Sequence, residues 1–129
     1  MASTDQTWNT PPLSSGNRLA VACYRRGIAE LVTATGHAAE LLAEAVAIDP
    51  TFFVAQVGAA VADVVAGRPY RRPLPALRPL RGERQHGEIV DAELGGDRRR
   101  AADLRREHLL EYPGDLLIVW LPALHLPAR

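Results

Sequence analysis

The sequence predicts an all-α chain of antiparallel helical hairpins stacked into a short solenoid. Residues 36–50, GHAAELLAEAVAIDP, return 63 positions later as residues 99–113, RRAADLRREHLLEYP. That shift matches Ala38 with Ala101, Ala39 with Ala102, Leu41 with Leu104, Glu44 with Glu107 and Pro50 with Pro113. Repetition on this scale is the mark of stacked helical units. Apolar residues recur at helical spacing, with no sustained alternation that would suggest a sheet. Aromatic residues make up only 5% of the chain while Ala and Leu are abundant, which suits helices that approach through small side chains.

Residues 1–14 are polar and contain Pro11-Pro12, so they predict a flexible arm with little structure of its own. Ser14 or Ser15 can cap a first helix running to about Ala34, with Leu19, Ala22, Cys23, Ile28, Leu31 and Val32 on its apolar side. Gly27 inside it costs about 1 kcal/mol relative to Ala, tolerable where a neighbouring helix needs close approach. Thr35-Gly36 breaks the helix. A second runs from His37 to Ile48, with Ala38, Leu41, Leu42, Ala45 and Ile48 as its stripe. Asp49-Pro50 closes it and prepares a third, Thr51 to about Ala66, so apolar that it must be covered on most sides. Residues 15–66 form the first helical repeat region.

Gly67 ends that region. Prolines at 69, 73, 75 and 79 exclude a continuous helix, so residues 67–82 are a Pro/Arg-rich linker. Residues 83–129 form the second repeat region. Its first helix runs from Glu83 to about Leu94, Gly95-Gly96 turns the chain, and Asp97 caps the helix Arg98 to Glu111. Pro113-Gly114 turns it again. Asp115 can cap a last segment, LLIVWLP, cut short by Pro122 and Pro127. Such short connections make neighbouring helices antiparallel.

With 129 residues the chain has the length of one modest domain, and its 47% hydrophobic content is that of a globular one. Net charge is zero, so no long-range attraction to nucleic acid or anionic lipid is built into the whole chain. All fifteen basic residues are Arg, which points to a GC-rich genome. Cys23 alone can make no internal disulfide. The N-terminus lacks the basic start and apolar core of a secretory signal, and the apolar run Leu116–Leu126 is too short to span a bilayer. A cytoplasmic location without membrane contact is the expectation.

The second helix of each pair resembles that of a tetratricopeptide repeat, through Ala38, Leu42, Ala45 and Asp49-Pro50 in one copy and Ala101, Leu104 and Pro113 in the other. His108 stands where a small residue is usual, and the first helices lack the usual aromatic and Leu-Gly signature. Longer stretches are more specific. PPLSSGNRLAVACYRRG, AVAIDPTFFVAQVGAAVADVVAGRP, ERQHGEIVDAELGGD and REHLLEYPGDLLIV, in this order, resemble the N-terminal part of the tetratricopeptide repeat protein 38 family over roughly residues 12–120. Glu83-Arg84-Gln85-His86, Gly96-Asp97, and Arg106-Glu107-His108-Leu109 before Tyr112-Pro113 carry most of that likeness. The family usually has a further helix where the Pro/Arg-rich stretch stands, and continues well past residue 129. The resemblance therefore implies a shortened or degenerate member: a helical scaffold, with no catalytic residues to carry over.

The polar residues give no constellation that points to chemistry. His86, Glu88, Asp91 and Glu93 lie close in sequence, but with no metal-ligand spacing they read as a solvated helix face. His37 and His108 have no partner in sequence, and His125 sits in an apolar tail. Cys23 reads as a buried structural thiol. Gly95-Gly96-Asp97 before a helix N-terminus reads as a turn, not an anion site. No catalytic, cofactor-binding or metal-ligating residues are therefore expected, and no cofactor.

Two surfaces remain. Arg68 to Arg84 holds six Arg against Glu83 alone, and Arg71, Arg72 and Arg78 with Tyr70 nearby are the residues for a weak nucleic-acid contact. That reading is disfavoured, because no recognition fold accompanies the charge. Residues 116–126, LLIVWLPALHL, would lie bare at the end of a stack that normally closes with a polar helix. Covering roughly 300–500 Å² of apolar surface stabilises by about 8–12 kcal/mol. Leu116, Leu117, Val119 and Trp120 should thus fold back or mediate association, with self-association or a protein partner as the occupant. The sequence predicts a non-catalytic protein-interaction scaffold. Its alternatives are a truncated or degenerate fragment of a longer repeat protein, or an enzyme-accessory subunit.

Overall fold

The computed structural model describes residues 10–73 and 77–124, and every regular element among them is helical. The order is α1 (Arg18–Val32), α2 (Ala38–Ile48), α3 (Phe53–Val65), α4 (Arg81–Leu94), α5 (Arg98–Glu111) and α6 (Leu116–Trp120), followed by one 3₁₀ turn, Leu121–Ala123. Helix α1 packs along α2, α4 along α5, and α3 lies against α2 and α4. Among the described residues no helix is long and apolar enough to cross a membrane.

Asn17, not Ser14 or Ser15, caps α1: its Oδ1 accepts from the N–H groups of Leu19 and Ala20, each at 3.0 Å. An Asx acceptor satisfies two donors that the first helical turn leaves unpaired. Ala20, Tyr24, Gly27, Ile28 and Leu31 are buried, at spacings of four, three, one and three that define one face. The helix stops at Val32, earlier than the sequence suggests. The break is made by Ala34, which adopts φ +59° in the left-handed region, and Thr33 Oγ1 returns to Ala29 O at 2.8 Å.

The stripe of α2 is as expected, with Ala38, Leu42 and Ala45 buried and Leu41 and Ile48 half-buried. Leu42 occupies the space that Gly27 and Gly58 leave: a Cβ on Gly27 would sit 2.8 Å from Leu42 Cγ, and one on Gly58 3.1 Å from Leu42 Cδ2. Asp49 ends α2 and binds the next turn through Thr51 Oγ1 at 2.7 Å. Pro50 therefore lies in a turn, and α3 begins at Phe53, later than predicted. Eight of the thirteen α3 residues are buried, as its composition requires. Phe52 before it is fully enclosed, its ring centroid 5.3 Å from that of Tyr24.

Gly67, at φ +87°, turns the chain out of α3. In the segment predicted as a linker, the Tyr70 hydroxyl hydrogen-bonds Asp91 Oδ1 and Arg72 pairs with Asp91 Oδ2 at 3.0 Å. Helix α4 starts at Arg81, two residues before the predicted Glu83, because Glu83 Oε1 reaches back to accept from the Leu80 N–H at 2.9 Å. Gly96 turns α4 into α5 at φ +90°, and Asp97 Oδ1 accepts from the Arg100 N–H.

The apolar tail folds back. Leu117, Ile118 and Leu121 are fully buried in the same core as α1, α3 and α4. Of the four residues predicted as an association surface, Leu117 is thus core and Trp120 half-buried, while Leu116 and Val119 are 50% and 52% exposed. Alternation around a single helical turn splits the run between core and surface. The predicted arm also has structure from residue 10 on: Pro11 is buried against Gly82 and Tyr112 lies beside it.

Candidate functional site

The α4 sequence places Glu83, His86, Gly87 and Val90 on one face, and that face is turned inward. Burial of its polar members has to be compensated by hydrogen bonds. Glu83 is fully enclosed, and its Oε2 accepts from both the N–H and the hydroxyl of Ser14, each at 3.0 Å. With Leu80 N–H on Oε1 it has three donors, and the arm is strapped across the start of α4.

One turn further on, His86 is 1% exposed. Its Nδ1 lies 2.8 Å from Asp115 Oδ2, and His108 Nε2 lies 2.8 Å from that same oxygen. His108 Nδ1 is 2.9 Å from Gln85 Oε1. Asp115 stands at the N-cap of α6, yet its side chain makes no capping bond; the carboxylate serves the two imidazoles instead. Burial raises the Asp115 carboxyl, but attraction to His86 and hydrogen bonds from His108 and His86 outweigh it and hold the group well below the usual carboxylate range. An ionised Asp115 only accepts, so both rings must donate to it.

His86 and Asp115 also line a cleft of about 540 Å³ bounded by Thr10, Pro11, Leu13, Tyr24, Arg25, Ile28, Val54, Gly114 and Leu116. The Nε2 of His86 is buried and has no hydrogen-bond partner among the described residues. Tyr24 on the wall is a protonated phenol: burial first, then the charges of Asp115 and Glu83, push it well above its ordinary value. Arg25 is exposed on the same wall, with no ion pair among the described residues.

The sequence reading of His86, Glu88, Asp91 and Glu93 as one solvated face is corrected. His86 is buried with Asp115, Asp91 holds Tyr70 and Arg72, Glu93 pairs with Arg105 at 3.4 Å, and only Glu88 is exposed. His108 likewise has partners, supplied by a helix 23 residues earlier in the chain and by the next turn. His37 is exposed, Cys23 is half-buried, and His125 lies outside the described residues. Of Arg71, Arg72 and Arg78, only Arg72 forms an ion pair; Arg71 and Arg78 are exposed without one among the described residues. Arg68 and Arg81 pair with Asp63 and Glu111, which removes part of the positive charge of the segment.

One signal did mark the cluster. His108 stands on α5 where the repeat puts Ala45 on α2, and both are buried. A histidine at a buried small-residue position requires a polar partner. Asp115, after the next turn, is that partner. No protein-family model, no curated protein and no solved structure matches this chain.

Proposed function

We propose that the chain is a short tetratricopeptide-type stack, akin to the tetratricopeptide repeat protein 38 family, that acts in the cytoplasm as a non-catalytic protein-interaction scaffold. In this reading α1/α2 and α4/α5 are the two hairpins, and the first helix of each pair lines the binding groove. One observation carries it: a single cleft is bounded by Tyr24, Arg25 and Ile28 of α1 together with His86 of α4. The chemistry of the walls defines the occupant. Pro11, Leu13, Ile28 and Leu116 offer apolar contact, and Arg25 offers an exposed cation, while Asp115 is buried beside His86. An extended protein segment with two or three apolar side chains and one carboxylate fits both.

The test is selection of peptides from a displayed library against the full chain, followed by affinity measurement. Leu116→Glu and Arg25→Glu change exposed cleft residues and should leave helicity unaltered. Selected peptides should carry an acidic residue beside apolar ones and bind each variant at least tenfold more weakly. A library that yields no binder, or binders indifferent to both substitutions, contradicts the reading.

A further inference from the structure

We propose that His86, His108 and Asp115 form a binding site for one divalent transition-metal ion of the zinc class. Two imidazole nitrogens and a carboxylate oxygen, all within 4.8 Å of one another, belong to three buried side chains. Nitrogen-rich donor sets with one carboxylate select zinc-like ions over magnesium, which prefers oxygen. One further feature favours a ligand over a purely structural knot.

His108 Nδ1 faces Gln85 Oε1, the outer contact that fixes the tautomer of a metal-bound histidine and leaves Nε2 to coordinate. His86 offers Nδ1, the atom already turned to Asp115 Oδ2, and with metal on Nδ1 the ring proton sits on Nε2, which is buried and without a partner among the described residues. The fourth coordination position is left for water, as in zinc sites with three protein ligands.

The geometry is close to what is needed. Metal bonds of about 2.0–2.1 Å place tetrahedral ligand atoms roughly 3.4 Å apart. The two N···O separations of 2.8 Å therefore open by about half an ångström, the wider separation between the two imidazole nitrogens, within 4.8 Å, closes toward the same value, and the ion takes the place of the bridging protons. Asp115 follows a Pro-Gly turn at the start of a five-residue helix, where a shift of this size is easily absorbed.

The experiment titrates the full chain with Zn²⁺ against a chromophoric chelator, and with Co²⁺ while recording visible absorption. One equivalent of Zn²⁺ should bind, Mg²⁺ should not compete, and Co²⁺ should give the intense visible bands of a near-tetrahedral site. Asp115→Asn and His108→Gln should each weaken binding at least hundredfold, and Gln85→Leu about tenfold. His37→Gln, at an exposed position, should change nothing. Should the cluster variants fail to fold, the ring resonances of the unsubstituted chain decide, since coordination must move those of His86 and His108 and spare His37. No binding at micromolar Zn²⁺, binding that survives Asp115→Asn, or ring shifts confined to other histidines overturns the proposal.

Discussion

Gly27 of α1 and Leu42 of α2 meet so closely that a Cβ on the glycine would lie 2.8 Å from Leu42 Cγ. Leu42 is fully buried, and a Cβ on Gly58 of α3 would also lie 3.1 Å from its Cδ2, so the side chain fills the space that both glycines leave. Two effects oppose each other in Gly27→Ala. Helix propensity favours Ala by about 1 kcal/mol, whereas overpacking a filled core costs about 1–3 kcal/mol. The overlap offsets or outweighs the propensity gain, and urea unfolding should show a net loss of up to about 2 kcal/mol. A variant more stable than the parent would mean that α1 and α2 do not pack as described.

Ala34 should respond in the opposite direction. Its left-handed backbone costs an L-residue about 1–2 kcal/mol, against about 0.4–1 kcal/mol of extra chain entropy that Gly gives the unfolded state. Ala34→Gly should therefore stabilise by roughly 0.5–1 kcal/mol in the same assay. A decrease in stability would contradict the turn geometry after α1.

Glu83→Gln probes the strap formed by the arm. The amide keeps the shape but retains one acceptor oxygen for the three donors that Ser14 and Leu80 present. Hydrogen bonds to a charged group are worth about 1.5–3 kcal/mol each, so a loss of about 2–3 kcal/mol is expected. Protease cleavage before residue 18 should accelerate as well. Unchanged cleavage would show that the Glu83 hydrogen bonds do not hold the arm.

Asp115 should impose a pH dependence. Its folded carboxyl lies below the ordinary value, so its contribution is complete above the unfolded-state pKa near 4 and fades as pH falls through the folded one. The stability difference between the parent and Asp115→Asn should accordingly shrink from about pH 4 downward. Urea midpoints across that range measure it. A difference that grows in acid would reverse the sign and exclude an ionised Asp115.

The helices were largely readable because each follows from local signals. The stripe of Ala38, Leu42 and Ala45, the Asp97 cap, and Gly67 after α3 act within one or two turns of chain. Boundaries failed where a side chain reached further. Asn17 displaced the serines as cap because Ser14 is held by Glu83, 69 residues away. The buried cluster was invisible for the same reason: His86 and Asp115 are 29 residues apart, and nothing in either neighbourhood reveals the other. His108 alone carried a local clue, in the repeat register it shares with Ala45.

The groove is tested most directly by mapping backbone amide shifts of the full chain as a library-selected peptide is added. The account predicts changes at Tyr24, Arg25, Ile28, Val54, His86 and Leu116, the residues that surround the cleft. The exposed outer residues Ala43, Glu44, Arg106 and Glu107 should stay unmoved. Shifts confined to those outer positions, or to Arg71 and Arg78, would place the partner elsewhere and contradict a groove lined by α1 and α4.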